Sequence, residues 1–339
     1  MSTTVENDYL AIRQALSDAK HVFLTAHVGP DGDALGAMLG CYHALRACFP
    51  QVERVDCGVS GKVPAMYSFL PGLGDIVDVD TATHLLSRYD VAMSFDCGSL
   101  DRLGQSARYF EQAAISINVD HHISNRRFGS LNLLETDAAA SGQVVYNLLR
   151  FLNADITKPV ADCLYTAIMT DTGGFKYSNA TSVVFQIAGH LVSLGADPEM
   201  IYKRAYEMRP WCQVQLQAEV VRRAEKNAAG TLAWTVITLE DLNAFGADHE
   251  HVDGVVETLR HVETVLISAI FKETRDGHTK VSLRSNSHQI NVAQLLELHG
   301  GGGHAMAAGC TLKHPPLEAV ALLRPQLEAA IETTLKAPL

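Results

Sequence analysis

Three apolar segments in the first half of the chain each run directly into acidic and imidazole side chains. The segments are residues 22–26, 91–95 and 115–119, and the apolar spacing of helices follows at residues 34–49 and 141–152. Short, continuously apolar strands that alternate with helices predict a parallel sheet covered on both faces. The ionisable residues that follow the three strands are His27, Asp31 and Asp33, then Asp96, then Asp120, His121 and His122.

These side chains are expected to converge, because the carboxyl ends of parallel strands open on one edge of a sheet. Asp171, which follows an apolar stretch at residues 164–169, is expected to join them. Clustered carboxylates raise one another's pKa, and divalent cations relieve that conflict. Carboxylate and imidazole ligands without thiolate suit manganese, magnesium or iron, and this set is large enough for two ions. Asp33 alone also fits a helix N-cap, but caps do not require histidines beside them.

Composition limits the partners and the compartment. The chain has 27 Lys and Arg against 38 Asp and Glu, a net charge of −11, which argues against binding along a long nucleic-acid duplex and allows a local basic pocket. Seven cysteines without a CxxC pair indicate a reducing compartment. No apolar run approaches the roughly 20 residues of a membrane span and no secretory signal is present, so we expect a cytoplasmic protein without a membrane partner.

The pattern of elements predicts two α/β domains joined by helices. Residues 1–185 are expected to form the larger domain with the parallel sheet. Consecutive helical segments predict a connector over residues 186–228. Strands return after Gly230, which predicts a smaller α/β domain over residues 229–339.

Five short motifs occur in a fixed order. They are His27-Val28-Gly29-Pro30-Asp31-Gly32-Asp33-Ala34, Asp96, Asp120-His121-His122, Thr170-Asp171-Thr172-Gly173, and Gly300-Gly301-Gly302-Gly303-His304 followed by Ala307-Ala308-Gly309. The first four resemble the DHH phosphoesterase superfamily, and the last resembles the DHH-associated domain. Together they extend over nearly the whole chain. The length, without added sensory or membrane segments, is similar to the stand-alone oligoribonuclease and pAp phosphatase branch.

The resemblance implies a two-metal site with divided roles. His27 and Asp31 would bind one ion, and Asp96 would bridge to a second ion held by Asp33, His121 and Asp171. Manganese is the expected metal, with magnesium or another divalent ion as the alternative. His122 would face the substrate, contacting the scissile phosphate or assisting proton transfer, so that His122 and Asp96 are the expected catalytic residues. Asp120 would orient a histidine from behind.

The glycine run and one arginine are expected to bind substrate. Glycines let the backbone approach a ligand and present N–H groups to anionic oxygens. The resemblance implies that Gly301, Gly302, Gly303, His304 and Arg284 hold the base, sugar or second phosphate of a nucleotide across a cleft between the domains. Arg284 by itself would otherwise be interpreted as an exposed charge at a strand end. Ser141, before a predicted helix, is interpreted as an N-cap, and a position near the substrate is the further expectation for it.

The implied activity is hydrolysis of short single-stranded oligoribonucleotides to mononucleotides, or removal of the 3′-phosphate of pAp, by water activated between two metals. One alternative is a phosphodiesterase for cyclic dinucleotides or their linear products. An alternative from another class is a non-catalytic nucleotide sensor, although no implied ligand is missing. The preferred substrate, the direction of degradation and the oligomeric state stay open, and a homodimer is compatible with the sequence.

Overall fold

The computed structural model describes residues 3–252 and 254–336. The chain divides into two compact units, Met1–Met208 and Arg209–Leu339. The boundary falls inside the stretch 186–228 that the sequence predicts as a connector. Helices that end before Met208 belong to the first unit, and the helix Trp211–Arg222 belongs to the second.

The first unit is a parallel sheet with helices on both faces. Its helices are α1 Thr3–Asp18, α2 Gly32–Cys48, α3 Ala107–Gln112, α4 Ser141–Phe151, α5 Lys158–Asp171, α6 Ser182–Ser193 and α7 Pro198–Tyr202, with a π-helical turn at Lys203–Glu207. Short 3₁₀ segments lie at Ala65–Tyr67, Leu73–Asp75 and Leu100–Ser106. Its strands are β1 His21–Ala26, β2 Arg54–Val59, β3 Ile76–Asp78, β4 Val91–Phe95, β5 Ile115–Asp120 and β6 Leu131–Leu134.

In the strand order β3-β2-β1-β4-β5-β6, β2 and β3 lie on one side of β1, and β4, β5 and β6 lie on the other side. The order in which strands are added to the sheet therefore reverses between β1 and β4. Such a switch point leaves a crevice at the carboxyl ends of the two strands, which is where α/β proteins bind ligands. In the register, Ala26 pairs with Phe95 and Phe95 pairs with Val119. The residues that follow β1, β4 and β5 therefore leave the sheet at the same level.

Helices α2 and α5 pack closely over the sheet. A Cβ atom on Gly36 of α2 would lie 2.4 Å from the carbonyl oxygen of Cys163 in α5, so only glycine permits this approach. A Cβ atom on Gly32, at the start of α2, would lie 2.6 Å from the side chain of Thr170 near the end of α5. The close packing brings the first turn of α2 beside the last turn of α5.

The second unit is a mixed sheet with its own core. Its helices are α8 Trp211–Arg222, α9 Leu239–Phe245, α10 Val255–Arg260, α11 Val292–Glu297 and α12 Pro316–Lys336, with a 3₁₀ segment at His249–Val252. Its strands are β7 Glu225–Lys226, β8 Leu232–Ile237, β9 Ile267–Glu273, β10 Thr279–Ser285, β11 Gly302–His304 and β12 Ala307–Leu312.

The order in this second sheet is β11-β12-β10-β9-β8-β7, and of its neighbouring pairs β8 and β9 run parallel while the others run antiparallel. Helices α11 and α12 share a core with β8, β9, β10 and β12. The two-domain α/β prediction is confirmed. Within residues 3–252 and 254–336, none of the helices combines the length and the apolar character that crossing a bilayer requires.

Candidate metal centre

The carboxyl edge of the first sheet gathers the ionisable residues that the sequence singles out. Two groups of side chains bring one ligand atom from each member within 4.8 Å of the others. The first group is His27, Asp31 and Asp96, and the second is Asp33, His121 and Asp171. A third group, Asp96, Asp120, His121 and His122, overlaps both.

Helix α2 begins inside this cluster. Asp31 is its N-cap, and its Oδ1 accepts hydrogen bonds from the backbone N–H groups of Asp33 and Ala34 at 3.1 Å each. The cap is therefore Asp31, and the N-cap interpretation of Asp33 is wrong. Asp33 lies in the first turn and accepts the N–H groups of Ser141 and Gly142 at 2.7 and 2.8 Å, at the start of α4. These bonds fix an acidic side chain between two helix N-termini.

Asp96 holds the centre of the cluster. Its backbone has φ 54°, a left-handed conformation that Asp tolerates better than most residues and that marks a strained, functional position. Its Oδ2 lies 3.6 Å from His27 Nε2, and its Oδ1 lies 3.6 Å from His121 Nε2. Burial by itself opposes ionisation, but the contact with His27 and the nearby His122 outweigh it and hold the pKa of Asp96 below its ordinary value.

The second group is built in the same way. His121 Nε2 lies 3.6 Å from Asp171 Oδ2 and 3.8 Å from Asp33 Oδ2. Two donor atoms that each lie about 2.1 Å from one cation are separated by about 3.0–3.6 Å. The observed separations are longer than hydrogen bonds and close to that range. The donor set of carboxylate oxygens and imidazole nitrogens therefore fits a divalent metal.

The electrostatics of these carboxylates favour a cation. Burial and the charge of Asp96 raise the pKa of Asp33 well above its ordinary value. Although 31% of the Asp171 side chain is exposed, burial together with Asp96 and Asp31 raises the pKa of Asp171 to about 8. The protein alone thus penalises full ionisation of the cluster, and a divalent cation would remove that penalty.

His122 is oriented by Asp120 from behind. Its Nδ1 lies 2.7 Å from Asp120 Oδ1, and Asp120 is completely buried. Burial lowers the pKa of His122, but the bond to Asp120 and the charge of Asp96 outweigh it and raise that pKa to about 9. The carboxylate can only accept, so Nδ1 carries the proton of this bond.

Sequence reasoning missed the contacts of two residues at the site. Ser141 is the first residue of α4, and its N-cap is Ala140, so the N-cap interpretation of Ser141 is wrong. The Ser141 hydroxyl instead lies 3.0 Å from Asp96 Oδ1 and donates to it. Asn125 donates from Nδ2 to Asp120 Oδ2 at 2.5 Å. The Ser141 contact spans 45 positions and depends on the fold. Asn125 lies only five residues after Asp120, but its residue type alone does not specify which oxygen it contacts.

Two family models account for most of the chain. The DHH family, N-terminal domain, matches residues 21–168, and the DHHA1 domain matches residues 232–333. The bifunctional oligoribonuclease and PAP phosphatase NrnA of Thermus thermophilus is 31% identical over 293 residues, 86% of this chain and 84% of that protein. The chain belongs to the DHH family. The matched DHH segment contains His27, Asp96 and the Asp120-His121-His122 motif, and Asp171 lies just beyond it.

Further relatives are similar to this chain over most of its length. The bifunctional oligoribonuclease and PAP phosphatase NrnA of Bacillus subtilis is 26% identical over 86% of this chain and 89% of that protein. The crystal structure of an exopolyphosphatase-related protein from Bacteroides fragilis is similar with a TM-score of 0.88 and 26% identity, covering 97% of this chain and 96% of that one. The family resemblance that the motifs predict is confirmed.

In the DHHA1 domain, Arg284 and the glycine run lie on neighbouring parts of the sheet. Arg284, in β10, donates from Nε to Glu257 Oε1 of α10 at 2.6 Å. Gly302, Gly303 and His304 form the exposed edge strand β11. A Cβ atom on Gly301 would lie 2.5 Å from the carbonyl oxygen of Gly309, whereas one on Gly302 would meet nothing within 4 Å. Packing inside the domain therefore requires glycine at 301 but not at 302.

Proposed function

We propose that this protein is a metal-dependent phosphoesterase that hydrolyses short oligoribonucleotides to mononucleotides and removes the 3′-phosphate of pAp. The observation that carries the proposal is the position of Asp96, whose two oxygens face His27 and His121 separately at 3.6 Å each. One carboxylate thus lies between two donor sets. The oligoribonuclease and PAP phosphatase names of the relatives support the substrate class.

In this proposal the site takes two divalent ions, with manganese as the preferred metal. His27, Asp31 and Asp96 would hold one, and Asp33, His121 and Asp171, together with Asp96, would hold the other. When bound, such a pair lowers the pKa of water and neutralises charge on a phosphoryl group.

The chain's own residues prepare that chemistry. Ser141 holds Asp96 through its hydroxyl, and the N–H groups of Ser141 and Gly142 hold Asp33, so both carboxylates are oriented before substrate arrives. His122 Nδ1 donates its proton in the hydrogen bond to Asp120. The other ring nitrogen, Nε2, is therefore the atom that would contact the scissile phosphate or transfer a proton to the leaving oxygen. Such fixed donors cost no reorganisation during the reaction.

In this proposal, residues of the DHHA1 domain bind the rest of the nucleotide. Backbone N–H groups near Gly302, the His304 side chain and the Arg284 guanidinium are the proposed contacts, and Arg284 would share its charge between Glu257 and a phosphate. A substrate of one to a few nucleotides needs only a few directed cations, which suits a chain with a net charge of −11.

The glycines give a matched pair of variants. Gly302→Ala is expected to keep the free energy of unfolding within about 1 kcal/mol of the wild type, because its Cβ atom meets open space. It should raise KM for pAp about 10-fold if the backbone there approaches substrate, a loss of about 1.4 kcal/mol. Gly301→Ala should instead lower stability by about 1–3 kcal/mol through overpacking. Urea titrations with initial-rate kinetics test both, and an unchanged KM in Gly302→Ala would remove Gly302 from the proposed contacts.

The function itself is tested with a substrate panel. The purified chain is incubated with Mn²⁺ or with EDTA and with pAp, diribonucleotides or cyclic di-AMP, and the products are separated by chromatography. AMP with phosphate from pAp, and mononucleotides from diribonucleotides, are expected only with Mn²⁺. Preferential cleavage of cyclic di-AMP would replace the proposed substrate class, and binding without any product would indicate a sensor.

A further inference from the structure

Asp120 is fixed from both sides. Its Oδ1 accepts from His122 Nδ1 at 2.7 Å and from the backbone N–H of His121 at 2.8 Å. Its Oδ2 faces the opposite way and accepts from Asn125 Nδ2 at 2.5 Å. A completely buried carboxylate keeps one orientation only if its bonding partners specify it, and Asn125 is the side chain that holds Oδ2 while backbone N–H groups of His121 and His122 hold Oδ1.

The amide of Asn125 is itself held in one orientation. Its Nδ2 faces three oxygens, those of Asp120 Oδ2, Asn118 Oδ1 at 2.7 Å and the Cys97 carbonyl at 3.1 Å. Its Oδ1 accepts the backbone N–H of Arg127 at 2.7 Å. A flipped amide would set its carbonyl oxygen against three acceptors, so the surroundings exclude the flip.

The chain of contacts continues into the sheet. Asn118 is completely buried in β5 and donates from Nδ2 to Ser94 Oγ at 3.0 Å, on β4. The Cys97 carbonyl also accepts from Asn118. The contacts therefore run from rigid strands through Asn125 and Asp120 to the ring of His122.

We infer that Asn125 is a positioning residue for His122, acting through Asp120. This inference rests on the proposed function, in which His122 acts on the substrate. Asn125 contacts neither the proposed metal ligands' side chains nor, in this assignment, the substrate. Its loss would leave Asp120 Oδ2 without this donor, so that the carboxylate is held on the Oδ1 side alone and the Nδ1–Asp120 bond of His122 is loosened. The usual cost is about 10–100-fold for an outer partner of a site histidine.

A double-mutant cycle separates positioning from a general structural role. Asn125→Ala is expected to lower kcat on pAp about 10-fold or more, with KM changed less than about 2-fold. In a His122→Ala background the same change should cost less than about 2-fold, since there is no ring left to position. Single-turnover kinetics at high enzyme concentration give access to the slow variants.

Asn132→Ala is the matched control. Asn132 bonds through its amide to the backbone N–H and carbonyl of Gly129, so it fixes a nearby turn without touching Asp120. Its kcat should stay within about 2-fold of the wild type in both backgrounds. The melting-temperature rise caused by Mn²⁺ should be the same in Asn125→Ala as in the wild type.

Long-range ¹H–¹⁵N spectra of the His122 ring add a readout that needs no turnover. At a pH high enough for the ring to be neutral, the wild type should show its one ring proton on Nδ1, and Asn125→Ala a mixture of the two tautomers. Equal losses of kcat in both backgrounds, an unchanged tautomer, or a lost Mn²⁺ response would each overturn the inference. A wild type that cleaves bis(p-nitrophenyl) phosphate but none of the nucleotides contradicts the proposed function instead, and the cycle then runs on that ester.

Discussion

Asp96→Asn is expected to lower kcat on pAp and on diribonucleotides by at least about 1,000-fold, equivalent to about 4 kcal/mol of transition-state stabilisation. The side chain keeps its shape and can still accept from Ser141, and Asn tolerates the left-handed backbone at φ 54°. What it loses is the charge that faces His27 and His121 from two oxygens. Asp96→Ala should be equally inactive but less stable, because alanine pays about 1–2 kcal/mol in that conformation.

Asp90→Asn provides a control at the other end of the same strand. Asp90 precedes β4 as Asp96 follows it, and its Oδ2 accepts the backbone N–H groups of Lys20 and His21 at 2.9 and 2.8 Å. Asparagine can keep an acceptor there, so kcat should stay within about 2-fold of the wild type. Circular dichroism and steady-state rates on all three variants decide the matter. If Asp96→Asn keeps a tenth of the wild-type activity, the shared-carboxylate site is wrong.

The strands that carry the site in the first unit could be predicted from the sequence, because each is a continuous apolar segment. Apolar segments at 22–26, 91–95 and 115–119 are continuous, so β1, β4 and β5 stand out, and their ends carry the site. The edge strands β3 and β6 have only three and four residues, and they form by pairing with the exposed edge of a neighbouring strand. In the second sheet, β11 consists of glycines and a histidine, residues with little strand propensity, and it exists through its pairing with β12.

The composition of the site could be predicted, but its internal bonds could not. The spacing of His27, Asp96 and His121 at strand ends is enough to expect them on one edge of the sheet. Which aspartate caps α2 depends on backbone conformation, since Asp31 and Asp33 offer the same side chain. The contact of Ser141 with Asp96 spans 45 positions and follows from the packing of α4 against the sheet. Contacts between distant segments need the fold itself.

Metal binding is expected to reverse the effect of Asp171→Asn on stability. In EDTA at pH 8 the variant should melt above the wild type, because removing one charge relieves the burial penalty, and the repulsion by Asp96 and Asp31, that raise the pKa of Asp171 to about 8. With saturating Mn²⁺ the wild type should gain about 5–10 °C, the value for about 2.7 kcal/mol of ligand stabilisation in a domain of this size. The variant should gain much less, since it lacks one ligand of the Asp33, His121 and Asp171 group.

The pH dependence of the melting temperature tests independently whether the charge of Asp171 destabilises the metal-free protein. An aspartate whose folded pKa lies above its unfolded value binds more protons in the folded state, so in EDTA the wild type should lose stability as pH rises from 6 towards 8. His122, with its pKa raised to about 9, contributes stability that is likewise lost as pH rises through that value. Asp171→Asn should flatten the decline. Melting curves at several pH values, with EDTA and with Mn²⁺, measure these changes in stability. A wild type whose melting temperature does not respond to Mn²⁺ would contradict the proposal that the clustered carboxylates bind a divalent cation.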